Sequence, residues 1–192
     1  MSQKTIAMLK AINASAITPE LELHLYQILQ HDQIKKSQQL LKAGETCRRV
    51  WFIEKGLFRS YRINRGQEEN IWFMSEGNVM HSPKSFYTGE PGKHFIQALE
   101  DSELVSISKD ELEAIYHSFP AFERIGRQLT EQYYLISLDN WEAFASGKVR
   151  DRYNHFLKAY PGLDDRISTK DLASFIKCAD RSVYRVRNQK KD

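Results

Sequence analysis

Residues 34–107 are cut into short runs rich in β-branched and aromatic residues, each closed by a turn signal before a helix could form. The runs are Val50-Trp51-Phe52-Ile53, 57–63, 70–74, 94–96 and 104–107. Between them lie Lys55-Gly56, Asn64-Arg65-Gly66, Glu76-Gly77-Asn78 and Gly89-Glu90-Pro91-Gly92. Short strands at this spacing bury their apolar faces only by folding over one another, which restricts this stretch to a sandwich, barrel or roll.

Helices flank it. Residues 3–30 read as two, the second opened by Thr18-Pro19-Glu20: an N-cap, a proline at the first helical position and an acid in the first turn. Ser108-Lys109-Asp110-Glu111 has the form of a capping box. After Phe119-Pro120, the residues Phe122, Ile125, Leu129, Tyr133, Ile136, Asn140 and Ala143 recur at alternating spacings of three and four, a seam along a long helix. Such a stripe packs either on its own domain or on a second copy. Self-association is the expectation, because so long a seam needs a large partner surface. Ser146-Gly147 interrupts the periodicity, and 148–159 reads as a further helix. The expected division is therefore 1–118 for the β-rich unit with its N-terminal helices, 119–146 for the dimerisation helix and hinge, and 147–192 for a helical unit.

Charge distinguishes these units. The chain of 192 residues is only +3 overall, but residues 150–192 hold eleven basic against six acidic side chains, which leaves the first 149 residues at −2. A basic segment of this kind faces a polyanion or is a solvated surface. No apolar run is long enough to span a membrane, and MSQKTIAMLKAINAS lacks the core of a signal peptide, so a cytoplasmic location and no membrane partner are expected. Cys47 and Cys178 are too far apart for a C-x-x-C site. His81, Glu90 and His94 match no metal-ligand spacing, and no nucleophile-base-acid set or Gly-rich phosphate loop is present; neither a cofactor nor catalysis is expected.

Within the basic segment, Ser168-Thr169-Lys170-Asp171 opens one short helix and Asp180 a second, with a break at Lys177-Cys178-Ala179 and a small residue, Ala173, where the two must cross. This is a helix-turn-helix pattern. The second helix directs Val183 and Val186 inward and shows Arg181, Ser182, Arg185 and, further round, Arg187, Gln189 and Lys190. Arginine forks suit guanine edges and lysines suit phosphates, so double-stranded DNA is the expected partner, contacted by Asp180, Arg181, Ser182, Arg185, Lys190 and Thr169. Lys177 stands where the motif's turn usually has glycine, which requires either a positive φ there or a different bend.

The order of parts resembles the Crp/Fnr family of bacterial transcription regulators. The most specific stretch is Leu40-Leu41-Lys42-Ala43-Gly44-Glu45-Thr46-Cys47-Arg48-Arg49-Val50-Trp51-Phe52-Ile53-Glu54-Lys55-Gly56, which is similar to the first signature of cyclic-nucleotide-binding domains. The resemblance implies an α+β fold: an antiparallel β-roll (a jelly-roll-like double-stranded β-helix), a long dimerisation helix and a C-terminal helix-turn-helix domain. It also implies a homodimer, RNA polymerase as a further candidate partner, and an unidentified small-molecule effector. The family's phosphate-binding cassette is altered. Ser82 stands where the family has the ribose-binding acid, and Gly92 where it has the phosphate-binding arginine, so no response to cyclic AMP is expected. Ser82, Lys84, Ser85 and Lys93 are candidates for lining a pocket for another anion. Because the chain stops at Asp192, the family's wing is expected to be missing and DNA binding to depend more on dimerisation. An alternative is a sensor or protein-interaction module whose basic tail reads no DNA.

Overall fold

The computed structural model describes residues 3–145 and 147–188. Two helices, α1 (Gln3–Asn13) and α2 (Pro19–Ile28), lead into the strands β1 (Gln30–Ile34), β2 (Gln39–Leu41), β3 (Arg49–Lys55), β4 (Phe58–Asn64), β5 (Gln67–Met74) and β6 (Val79–Met80). A short helix, α3 (Pro83–Thr88), precedes β7 (Phe95–Ala98) and β8 (Ser102–Ser108). The chain then runs through α4 (Lys109–Ser118), α5 (Glu123–Ala145), α6 (Val149–Ala159), α7 (Thr169–Phe175) and α8 (Asp180–Asn188).

The strands form two antiparallel four-stranded sheets, in the orders β1-β8-β3-β6 and β2-β7-β4-β5, which face each other as a roll. All five apolar runs are strands. Their inward residues, including Phe52, Phe58, Ile96, Val105 and Ile107, fill one core with Leu9, Leu21 and Leu25 of the N-terminal helices. The expected caps are made. Thr18 Oγ1 accepts from the Leu21 amide at 3.2 Å, and Ser108 and Glu111 satisfy each other's amides. Strand β1 was not legible in the sequence: four of its five residues are exposed and polar, so only pairing with β8 holds them extended.

A second core belongs to the C-terminal helices. Phe156, Leu172, Phe175, Ile176 and Val183 pack there, and they are joined by Leu57 and Phe73 from the roll. The Phe73 and Phe175 rings meet edge to face with centroids 5.1 Å apart. The roll and the helical unit thus share apolar contacts.

The long helix corrects one expectation. Phe122 and Ile125 are buried within the chain, Leu129 and Tyr133 pack on the core of the roll, and Ile136 is half-buried on the same face. Asn140 is buried as well, donating to Tyr160 Oη at 3.1 Å. The stripe assigned to dimerisation is therefore the inward face, covered by the protomer itself. Periodicity reports that a stripe is covered, not what covers it. On the opposite side Tyr134, Leu135, Leu138 and Trp141 lie in solvent, Trp141 with 73% of its surface exposed. Arg127, Glu131, Tyr134, Leu138, Trp141 and Ala145 follow a 4-3-4-3-4 spacing, a second seam behind the first. Ser146, half of the expected hinge, lies outside the described residues, as do Lys190 and any segment in which a wing would follow α8.

Candidate nucleic-acid interface

The two C-terminal helices take the expected shape for local reasons. Ser168 caps α7 by accepting from the Asp171 amide at 3.0 Å. Ala173 is fully enclosed at the crossing, and the Cys178 amide bonds the Ala173 carbonyl at 3.0 Å to close the turn. Lys177 takes the positive φ, +55°, so the turn keeps its geometry despite having no glycine there. Helix α8 then opens beyond the turn, the Ser182 amide bonding the Ala179 carbonyl. Val183 and Val186 point inward, while Asp180, Arg181, Tyr184 and Arg185 are exposed and Ser182 is half-buried.

Two residues stand elsewhere than expected. Arg187 turns back instead of outward: its Nε donates to Asp164 Oδ1 at 2.9 Å, and Nη2 donates to the carbonyls of Asp164 and Ile167. Its Nη1 donates to Thr169 Oγ1 at 3.0 Å, so the Thr169 hydroxyl is engaged inside the unit. Arg187 flanks the buried Val183 and Val186, and that position brings it over the 164–168 loop and the first residue of α7. Tyr184, two-thirds exposed between the exposed Arg181 and Arg185, was not singled out from the sequence because aromatic residues signal burial more often than contact.

A polar seam fixes the unit to the roll. Arg59, 8% exposed, forms ion pairs with Asp171 of α7 and with Glu68, each at 2.7 Å, bonds Gln97 through two nitrogens, and stacks 4.2 Å above Tyr61. Asn70 donates to the Asp171 carbonyl, and its own amide donates to Ser174 Oγ, both at 3.0 Å. At a second point Arg166 holds Glu76 and Glu100, at 2.9 and 2.7 Å. The Arg166 guanidinium holds the Glu76 carboxyl down to about 2, aided by the Gly56 amide that donates to it.

The cassette region is closed upon itself. Ser85 Oγ accepts from the Cys47 amide and donates to the Glu90 carbonyl, and the Ser82 amide donates to Cys47 Sγ. Gly92 is bonded on both sides, its amide to the Glu45 carbonyl and its carbonyl to the Gly44 amide. A side chain at Gly92 would start 3.3 Å from Ser82 Oγ and Ser85 Cβ. Ser82 and Ser85 are buried in this knot, whereas Lys84 and Lys93 lie on the surface, so the four candidate pocket residues do not converge on one cavity. Beside them, burial pushes His81 down to about 4, and its Nε2 meets no partner among the described residues, so the ring is neutral at physiological pH.

Residues 31–119 match the family model of the cyclic nucleotide-binding domain. No curated protein matches the chain in sequence. FixK2 from Bradyrhizobium japonicum superposes with a TM-score of 0.73 at 16% identity, over 84% of this chain and 84% of that one. A CooA mutant from Carboxydothermus hydrogenoformans gives 0.72 at 18% identity, over 96% and 84%. A putative Crp/Fnr-family transcriptional regulator from Eubacterium rectale gives 0.70 at 13%, over 90% and 83%. Residues 31–119 are thus similar to cyclic nucleotide-binding domains, and the chain as a whole shares the fold of these solved structures, one of them a putative Crp/Fnr-family regulator.

Proposed function

We propose that the chain is a DNA-binding transcription regulator that acts as a homodimer and does not respond to cyclic AMP. The observation that carries this reading is the outward face of α8. Arg181 and Arg185 are exposed and form no ion pair among the described residues, while the helix behind them is locked by Val183, Val186 and the Arg187 clamp. A rigid helix with free guanidinium forks has the form that enters a major groove.

In this reading residues 1–118 sense, 119–146 join two copies, and 147–192 bind DNA. The two copies meet through Tyr134, Leu135, Leu138 and Trp141, because a contiguous apolar strip of this kind on a long helix is rarely left in water. Twofold symmetry then presents the two α8 helices to half-sites about 34 Å apart. An effector acts by biasing the DNA-binding unit against the roll near Gly147, where open space surrounds the backbone.

Arg185→Ala is expected to lower affinity for a selected cognate duplex by about 1–3 kcal/mol and to relax base preference at one position. Anisotropy titrations against cognate and random duplexes check it. An equal loss on both would reduce Arg185 to a phosphate contact, and no binding above competitor DNA would end the regulator reading. Cyclic AMP is expected to give no heat of binding by calorimetry, since the cassette lacks both its acid and its arginine and the Ser85 hydroxyl is spent internally. Micromolar binding would overturn that statement.

A further inference from the structure

A cavity of about 280 Å³ opens where four parts of the molecule meet: α1, the turn after β5, the inward face of α5 and the end of α6. It is separate from the cassette; none of Ser82, Lys84, Ser85 or Lys93 lines it. Four rings wall it, those of Trp72, Phe73, Tyr133 and Tyr160. They meet edge to face: Trp72 lies 6.1 Å from Tyr133 and 6.5 Å from Tyr160, centroid to centroid, and Phe73 lies 6.5 Å from Tyr160. Ala11 and Ala159 line the cavity too, and their short side chains leave the space unfilled.

Three polar groups of the lining are used in one direction. Tyr133 Oη accepts from the Val79 amide at 2.9 Å, Tyr160 Oη accepts from Asn140 at 3.1 Å, and Asn78 Oδ1 accepts from the Ser75 amide at 3.1 Å. Each of these three oxygens has its donor, while the phenolic hydrogens and the Asn78 amide hydrogens meet no acceptor among the described residues; the exposed Gln132 amide at the rim can both donate and accept. Burial raises both phenols above their ordinary range, so both keep their hydrogens at neutral pH. No acidic, basic or histidine side chain lines the space. A charged occupant would therefore lose its hydration without gaining a counter-ion.

We propose that this cavity is an effector site for a small, flat, uncharged aromatic molecule bearing a hydrogen-bond acceptor such as a carbonyl. The rings supply edge and face contacts, and the phenols supply the donors. The proposal rests on the regulator reading only for its consequence. Tyr160 ends α6, and Phe73 carries the contact onward to Phe175 of α7, so an occupant bears on the cluster that seats the DNA-binding helices.

The test uses the full chain without DNA and two probes of nearly the same size, acetophenone and benzoate, in saturation-transfer NMR titrations. Acetophenone, with about nine non-hydrogen atoms, is expected to bind with a dissociation constant of about 1 mM. Benzoate is expected to bind at least roughly tenfold more weakly for want of a counter-ion. Ala159→Phe fills the space and should weaken acetophenone binding by roughly tenfold or more. Tyr133→Phe removes one donor at almost constant volume and should weaken it about threefold to tenfold, with a lower melting temperature because the Val79 amide loses its acceptor but with the fold retained by circular dichroism. Tyr133→Phe also carries the test if Ala159→Phe does not fold. Equal binding of the two probes, no binding of acetophenone, or affinity unchanged in Tyr133→Phe would each overturn the proposal. None of these outcomes bears on whether α8 reads DNA, and a failure to bind DNA would leave the titration result standing.

Discussion

Replacing Leu138 and Trp141 together by glutamate is expected to leave the fold intact, abolish the dimer and reduce affinity for a palindromic site by about 100-fold or more. Both side chains lie in solvent on the outer face of α5, so the protomer loses no core contact when they become charged. In the dimer the same positions would place four carboxylates in one narrow seam, with like charges facing one another. Each monomer would then bind its half-site without the second as an effective-concentration partner, and the loss of that coupling is worth about 10²–10⁴ in avidity. Sedimentation reads the oligomeric state, circular dichroism the fold, and anisotropy the DNA. A variant that remained dimeric would move the interface elsewhere. The comparison substitution is Ile125→Glu, which charges a buried position on the inner face and should unfold the chain whatever its partner.

The second large effect is expected at Gly56, the closing glycine of the sequence signature. Gly56→Ala should cost about 3 kcal/mol or more and lower the melting temperature by roughly 6–12 °C. Its φ of +111° strains any L-residue, and an added Cβ would lie 2.9 Å from the Cα of Ser102. The obstacle is backbone, so no side-chain rotation relieves it. Gly56 also donates at 2.7 Å to Glu76, which in turn holds Arg166, so displacement of this turn loosens the second anchor of the helical unit. Gly66→Ala is the control: a positive φ of +77° with nothing within 4 Å of the new atom should cost only about 1 kcal/mol. Equal losses at the two positions would show that backbone strain alone, without the Ser102 clash, accounts for the effect.

Those two positions also show what the sequence could and could not convey. Gly56 was legible because a turn between two apolar runs demands a particular backbone, and such demands are local. The altered cassette was legible for the same reason, since Ser82 and Gly92 are single residues whose chemistry differs from what a phosphate clamp needs. The helices of the C-terminal unit followed from caps and periodicity, and even the positive φ at Lys177 was one of the two outcomes foreseen. The stripe expected to self-associate lies against the roll, because α5 carries two stripes on opposite faces and the one richer in branched aliphatics is the one the roll covers. The polar seam was invisible. Arg59 and Asp171 stand 112 positions apart, and nothing in the spacing of two charges so distant says that they meet. Arg187 misled for a related reason: outward angle on a helix was inferred without the loop that rises to meet it.

The seam between α7 and the roll has a mechanical consequence. The C-terminal helical unit is tied to the roll along the chain through α5 and α6, and across space at two points, through Arg59, Asn70 and Asp171 and through Arg166 with Glu76 and Glu100. More than one tie between the same two bodies makes a closed linkage, in which no joint turns independently of the others. Rotation near Gly147 must therefore be matched by sliding or rupture at β5. The angle of α8 is set by the balance of these ties rather than by the chain connection near Gly147 alone.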